Sequence, residues 1–276
     1  MNRMTKRTLS NRESDLILAL EWNKKRIVSL KEISRRLRCS PGYAKKLVHV
    51  LVRKGWLEPI MSGNYLLIGA ERGPKGVPEM NPYLMARILR QPYFFAYRIA
   101  CSHHGLLTQI PSVIHIAVTR LRRPLEIKNV RFEFIILTKK RFFGFEETTV
   151  FGEKVKFSDL ERTVLDALDR PDLVGGIEAS AQVLFEARKR LDNPKLLAYL
   201  QRMNNSALAR RLGYLSELFQ LKFDKQLLDY LKDQIKKDPA LLGDADRWGR
   251  QGERNKDWNL IINVPKRELM GEIRIV

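Results

Sequence analysis

Residues 39–53 read Cys39-Ser40-Pro41-Gly42-Tyr43-Ala44-Lys45-Lys46-Leu47-Val48-His49-Val50-Leu51-Val52-Arg53. Ser40 makes a good N-cap, because its hydroxyl can accept from a free backbone N–H of the first turn, and Pro41 suits the first helical position. Ala44, Leu47, Val48 and Leu51 recur at i, i+3, i+4 and i+7, which predicts one buried stripe. Tyr43, Lys45, Lys46, His49 and Arg53 are left on the outward faces. Gly55 then ends the helix.

Upstream, Ser10-Asn11-Arg12-Glu13 fits a capping box, with Ser at the cap and Glu three residues on. Leu16, Ala19 and Leu20 follow at helical spacing, with Trp22 beside them. Ile27 and Val28 read as a short extended link. Ser29-Leu30-Lys31-Glu32 is a second capping box, and Ile33 and Leu37 share one face of the helix behind it. Cys39 to Gly42 turns the chain into the next helix. Downstream, Trp56 and Leu57 begin an extended stretch. Met61-Ser62-Gly63-Asn64 reads as a hairpin turn between 56–60 and 65–68. Pro59 suggests an exposed edge strand.

Two helices joined by a tight turn, the second with a basic outer face, follow the helix-turn-helix plan, and a hairpin placed directly behind is the wing. Residues 1–70 therefore predict a winged helix-turn-helix domain that binds double-stranded DNA. The major groove admits one helix, whose N-terminal side chains meet base edges. The helix N-terminus also favours a phosphate, through its free N–H groups and its dipole. Ser40, Pro41, Gly42, Tyr43, Lys45, Lys46 and His49 are the expected contacts on that helix. Arg53 belongs at the groove edge, and Ser62 and Asn64 at the wing tip.

The charge balance agrees. The 276 residues contain 51 Lys and Arg against 31 Asp and Glu, a net +20, with 44% hydrophobic residues to build a core. Residues 1–70 hold 15 basic and 5 acidic side chains, so a quarter of the chain carries half the excess. Such a balance favours a polyanionic partner. Two cysteines, Cys39 and Cys101, exclude a disulfide framework and a Cys-rich zinc site. No apolar run reaches the ~18 residues of a membrane span, and no secretion signal is evident. A cytoplasmic protein without membrane association is expected.

Residues 71–82 are rich in Gly and Pro and read as a linker. Residues 83–276 then predict a larger α+β domain with a small sheet and a helical half. Leu84, Met85, Ile88 and Leu89 lie on the apolar side of a helix opened by Asn81-Pro82, and a further helix is expected from Tyr93 to Ser102. Extended segments follow at 112–119, 130–137 and as a pair within 142–157. Ser158-Asp159-Leu160-Glu161 is a third capping box, ahead of a stripe through Leu160, Val164, Ala167 and Leu168. Arg170-Pro171 stops that helix. Helices then run from behind Gly175-Gly176 to about 191, and over 194–203, 205–221 and 224–236, with a late strand in 257–264.

Chemistry-bearing patterns are sparse. His103-His104 with Cys101 matches no standard zinc spacing. Glu126-Ile127-Lys128 resembles half of a restriction-type nuclease site. Such a site also needs an upstream acid to hold Mg²⁺, and no Asp or Glu lies between 82 and 125. No phosphate loop, nucleophile elbow or dinucleotide fingerprint is present. The residues predict no enzyme, no metal and no cofactor.

The segment Phe157-Ser158-Asp159-Leu160-Glu161-Arg162-Thr163-Val164-Leu165-Asp166-Ala167-Leu168-Asp169-Arg170-Pro171-Asp172-Leu173, with Gly175-Gly176, resembles the signature of the AbiEi antitoxins. Ser102 to Leu106 with Thr108, Gln109, Pro111 and Val113 to Thr119 resembles the same family's first strand region, and Phe142-Phe143-Gly144 fits it too. The resemblance implies a transcriptional regulator of a type IV, abortive-infection toxin–antitoxin operon used in phage defence. Its winged helix would bind operator inverted repeats, as a dimer or as one monomer per half-site, and repress its own operon. Its C-terminal domain would counter a nucleotidyltransferase-like toxin without a stable complex. Arg162, Asp166, Asp169 and Arg170 match the signature's polar positions, either as antitoxicity residues or as an ion-pair network holding the helix. The alternative function is a winged-helix regulator with no toxin partner, its second domain serving dimerisation or ligand sensing.

Overall fold

The computed structural model describes residues 7–61, 63–73, 81–89, 91–109, 111–127, 130–150 and 153–271. The chain divides into two units, Met1–Arg90 and Gln91–Val276.

In the first unit, α1 (Asn11–Trp22) opens as its sequence predicts, with the Ser10 backbone N–H donating to the Glu13 carboxylate at 2.7 Å. A strand β1 (Ile27–Ser29) leads into α2 (Leu30–Arg36), whose first turn is capped by Ser29 Oγ accepting from Glu32 N at 3.1 Å. The helix α3 (Pro41–Arg53) is followed by β2 (Leu57–Met61) and β3 (Asn64–Leu67). The three strands form one sheet in the order β1-β3-β2. Pro59 thus sits on an edge strand, where a missing N–H costs least. Ile27 and Val28, expected as a link, instead pair with Leu66 and Tyr65.

The core of this unit joins Leu16, Ile17 and Leu20 to Ile33, to the stripe Ala44, Leu47, Val48 and Leu51, and to Trp56, Leu57 and Leu67. Lys54 Nζ meets Glu13 Oε2 at 2.6 Å and ties the end of α3 to the start of α1. Trp22 is 88% exposed, while Leu16, Ile17 and Leu20 fill the buried face of α1. Asn81 caps a 3-10 turn, Pro82–Leu84, which runs into the one-turn α4 (Met85–Ile88).

The second unit is mixed α/β. Its main sheet contains β4 (Tyr93–Phe95), β5 (Val113–Val118), β6 (Leu125–Ile127), β7 (Val130–Ile136), β8 (Phe145–Val150) and β9 (Glu153–Ser158), in the order β6-β7-β5-β4-β9-β8. The strand β5 runs parallel to β7, with Val118 opposite Ile136, and β4 runs parallel to β9. The sheet is larger than the sequence suggests. Where the spacing predicts a helix from Tyr93, the chain is a central strand, and only α5 (Arg98–His103) is helical. Phe94 and Phe95 are both fully buried, as befits a strand covered on two faces.

The helical half comprises α6 (Leu160–Asp169), α7 (Ile177–Ala187), α8 (Asn193–Met203), α9 (Ser206–Leu218) and α10 (Lys225–Asp233). On α6, Val164, Leu165, Ala167 and Leu168 are all completely buried. Each of the larger three contributes about 1.5–3 kcal/mol on burial. The C-terminal stretch folds on this half as β10 (Ala240–Leu241), α11 (Ala245–Trp248), β11 (Glu253–Asn255), β12 (Leu260–Ile262) and α12 (Lys266–Met270). Trp258 is fully buried over Gly213 of α9, where a Cβ would lie 2.1 Å from the indole. Among the described residues no helix is long and apolar enough to cross a membrane.

Candidate functional site

The free end of α3 is built by its cap. Ser40 Oγ accepts from Tyr43 N at 3.2 Å, and Pro41 occupies the first turn. The turn in front is held by Ser34 Oγ donating to Cys39 O at 2.6 Å, with Arg38 in the left-handed region at φ 47°. The buried stripe then orients the rest of the helix. Pro41, Gly42, Tyr43, Lys45, Lys46, His49 and Arg53 are exposed together with Ser40. They form one continuous face, and the sequence spacing places every one of them there.

Arg12 joins this face without any local signal. Its guanidinium lies 5.6 Å from the centre of the Tyr43 ring, and hydrogen bonding to Tyr43 raises its pKa. The pair is separated by thirty-one positions in the chain, so only packing reveals it. In the hairpin turn, Gly63 adopts φ +76° and its carbonyl accepts from Leu30 N at 2.8 Å. That bond ties the turn to the start of α2. Asn64 is half-buried at the first position of β3. Ser62 lies outside the described residues.

The second set of expected residues, Arg162, Asp166, Asp169 and Arg170, clusters on and just behind α6. The cap of that helix is Asp159, one residue later than the sequence predicts. Asp159 Oδ1 accepts from Arg162 N at 2.9 Å, while Ser158 Oγ is engaged with Thr163 Oγ1 at 2.7 Å. Tyr199 donates to Asp159 Oδ2 at 2.7 Å, and burial together with that bond pushes its pKa up to about 12. Lys195 Nζ lies 2.6 Å from Glu161, and although burial opposes its charge, Glu161 and Asp159 prevail and raise its pKa.

Arg162 is almost completely buried. Its Nε donates to Asp166 Oδ1 at 2.8 Å, and its Nη1 donates to the carbonyls of Arg141 at 2.9 Å and Phe143 at 3.2 Å. Gly144, at φ +69°, allows this approach, since a Cβ there would lie 3.0 Å from Arg162 Cβ and from Tyr199. Asp166 Oδ2 has no partner among the described residues. Burial raises the Asp166 pKa, and Arg162 offsets only part of that. Asp169 accepts from Arg141 Nη2 and from Asn205 Nδ2, both at 2.6 Å. Arg170 turns elsewhere, to a bidentate pair with Asp172 at 2.9 and 2.6 Å, half exposed. Three of the four residues therefore share one network, and the fourth borders it.

The histidine–cysteine group has ordinary structural partners. His103 stacks on Phe157 at 4.0 Å, His104 Nε2 donates to Ser158 O at 2.8 Å, and burial pushes the Cys101 thiol up to about 12. Among the described residues no group of three or more His, Cys, Asp or Glu is placed to hold a metal ion. Glu126 stands on the edge strand β6 opposite Arg131, and Lys128 lies outside the described residues.

No curated protein matches the chain. The fold is similar to that of the RV2827C protein from Mycobacterium tuberculosis, known from a crystal structure. The TM-score is 0.68 at 16% sequence identity, covering 93% of this chain and 92% of that one. Residues 96–218 match the family model described as the AbiEi antitoxin C-terminal domain, which takes in β5 to α9 and the whole Arg162–Asp169 network. Residues 96–218 of the second unit are thus similar to the C-terminal domain of the AbiEi antitoxins.

Proposed function

We propose that the chain is a DNA-binding autorepressor and antitoxin of a type IV toxin–antitoxin operon. On this reading the first unit is a winged helix-turn-helix domain. Its α3 enters the major groove of operator inverted repeats, and its β2–β3 turn serves as the wing. The observation that carries the DNA reading is the undivided exposed face Ser40, Tyr43, Lys45, Lys46, His49 and Arg53 on a capped helix, in front of a hairpin. Such a face offers both cations and free N–H groups to phosphates. The protein then acts in the cytoplasm on its own promoter, without catalysis or cofactor.

The antitoxin half rests on the family match over residues 96–218. Within it Arg162 and Asp166 are buried, Asp169 is half-buried, and the three act by holding the turn at 139–144 and α9 in place. Arg170, half exposed, is the signature residue able to meet a partner directly. Its functional partner is a nucleotidyltransferase-like toxin, countered without a stable complex. The alternative regulator with no toxin partner is favoured by that same burial, since a structural network needs no toxin to explain it.

A footprint of the full chain on its own upstream region tests the first half. Protection of inverted repeats that is lost in Lys45→Ala/Lys46→Ala supports the reading; protection that survives unchanged overturns α3 as the reading element. Co-expression with the neighbouring gene product tests the second half. Relief of toxicity supports the antitoxin reading, and its absence selects the regulator.

A further inference from the structure

The second unit carries a basic surface of its own. The strands β5 and β7 run parallel, so the segments that leave their C-terminal ends emerge side by side, about 4.8 Å apart at the strands. Leu137 N donates to Val118 O at 2.8 Å and marks where the two part. The segment behind β5 is Thr119-Arg120-Leu121-Arg122-Arg123, and the one behind β7 is the 3-10 turn Lys139–Arg141. Arg120, Arg123, Lys139 and Lys140 are exposed. Arg122 lies over the Phe134 ring at 5.1 Å.

This surface is rigid at its base. The turn 139–141 is gripped from below by Arg162 on the carbonyls of Arg141 and Phe143, and by Asp169 on the Arg141 guanidinium. Arg202 of α8 donates from Nε to Lys140 O at 2.9 Å, and its guanidinium covers the Phe143 ring at 4.0 Å, which adds a further exposed cation. The buried network of the family signature therefore presents Lys139 and Lys140 at its surface.

No acidic residue occurs from Pro82 to Leu125. Glu126 lies toward the opposite end of the strands, and Glu133, in the middle of β7, is taken by Arg131 at 2.8 Å. Among the described residues no carboxylate reaches Arg120, Arg123, Lys139 or Lys140. Unneutralised cations on ordered backbone repel one another, and a ligand bearing regularly spaced negative charge removes that cost. Guanidinium forks match phosphate oxygens bidentately. A protein partner would call for buried aromatic anchors, whereas this ridge offers cations beside two exposed aliphatic side chains, Leu121 and Ile136, and no exposed aromatic among the described residues.

We propose that the ridge formed by Arg120, Arg123, Lys139, Lys140 and Arg202 binds the phosphodiester backbone of nucleic acid. The site is separate from the α3 face and does not depend on how that face is read. The ridge has no base-reading helix, so it contributes affinity without sequence preference. It gives the antitoxin unit its own hold on nucleic acid, either DNA beside an operator or an RNA duplex.

The test is fluorescence anisotropy of the full chain in a Lys45→Ala/Lys46→Ala background, against a labelled duplex of arbitrary sequence made once as DNA and once as RNA. Arg120→Ala/Arg123→Ala/Lys139→Ala/Lys140→Ala is expected to weaken at least one duplex about tenfold or more and to reduce its salt slope by about 3. Loss confined to RNA, or to DNA, identifies the natural backbone, and loss on both supports a site for either. Lys139→Arg/Lys140→Arg should retain binding. An equal removal of charge elsewhere, Lys236→Ala/Lys237→Ala/Arg250→Ala/Lys266→Ala, should have little effect. Unchanged affinity and slope in the ridge variant overturn the proposal, as does an equal loss in the distant one.

Discussion

Lys45 and Lys46 on α3 and Arg162 on α6 are cations placed by their helices in opposite ways. The first pair stands exposed, with no ion-pair partner among the described residues, while Arg162 is surrounded by Asp166 and two backbone carbonyls. A cation free in solvent can be given to a ligand. A cation already satisfied inside the protein holds structure and reaches a ligand only through what it positions. The buried carboxylates contrast as well. Burial opposes ionisation of Glu13, but Lys54 and the Ser10 N–H outweigh it and its pKa falls. For Asp166 burial wins over Arg162 and the pKa rises. The sign differs because Glu13 sits at the unit's edge with two donors, whereas Asp166 leaves Oδ2 without a partner among the described residues.

The contrast is most easily broken at its buried end. Asp166→Ala should destabilise the second unit by about 3–5 kcal/mol, because Arg162 is left as an unpaired buried charge; urea unfolding measures it. A loss below about 1 kcal/mol would show that the network relaxes around water. Glu13→Ala should cost the first unit about 1–3 kcal/mol, the loss of charge-assisted hydrogen bonds to Lys54 and Ser10. The two sites should also respond oppositely to pH. Glu13, with its folded pKa below the unfolded value, contributes stability that is complete above the unfolded value and disappears as pH falls through the folded one. Asp166, with its folded pKa raised, contributes most below the unfolded value and loses that contribution as pH rises through the folded one. Stability curves against pH should therefore lose part of their acid limb in Glu13→Gln, while Asp166→Asn removes a decline on the rising side.

Smaller effects sharpen the exposed end. Ser40→Ala removes the cap of α3 and should cost about 1 kcal/mol, read as a lowered melting temperature. Lys45→Ala/Lys46→Ala should change stability by no more than about 0.5 kcal/mol. The same change should cut the salt slope of DNA binding by about 2. A double variant that unfolds, or one that binds with an unaltered slope, would end the distinction between a free and a satisfied cation.

Much of this was legible because it is local. Capping at Ser10 and Ser29, the stripe through Ala44, Leu47, Val48 and Leu51, and the strands at 113–118 and 130–136 depend on residues within one or two turns of each other. The misplaced cap of α6 was a local tie: Ser158 and Asp159 are both good caps, and Thr163 claims the serine hydroxyl. The strand at Tyr93 had no local signature, since three apolar residues in a row have neither helical nor alternating period. Pairing with β5 and β9 decided it.

Sequence alone determined the exposed face of α3, because helix period and capping fix which side chains can be buried and the rest must face water. It also carried, at 157–176, the resemblance to the AbiEi antitoxins, within the 96–218 match. Only the tertiary structure decided what the signature's charges do. Arg162 meets the carbonyls of Arg141 and Phe143, and Asp169 meets Arg141 and Asn205, about twenty to forty residues away along the chain. Those contacts, and the ridge of cations they support, exist because parallel strands and a central helix bring distant segments together. No periodicity in the chain encodes such a meeting, since its energy comes from desolvation and pairing after the chain has packed.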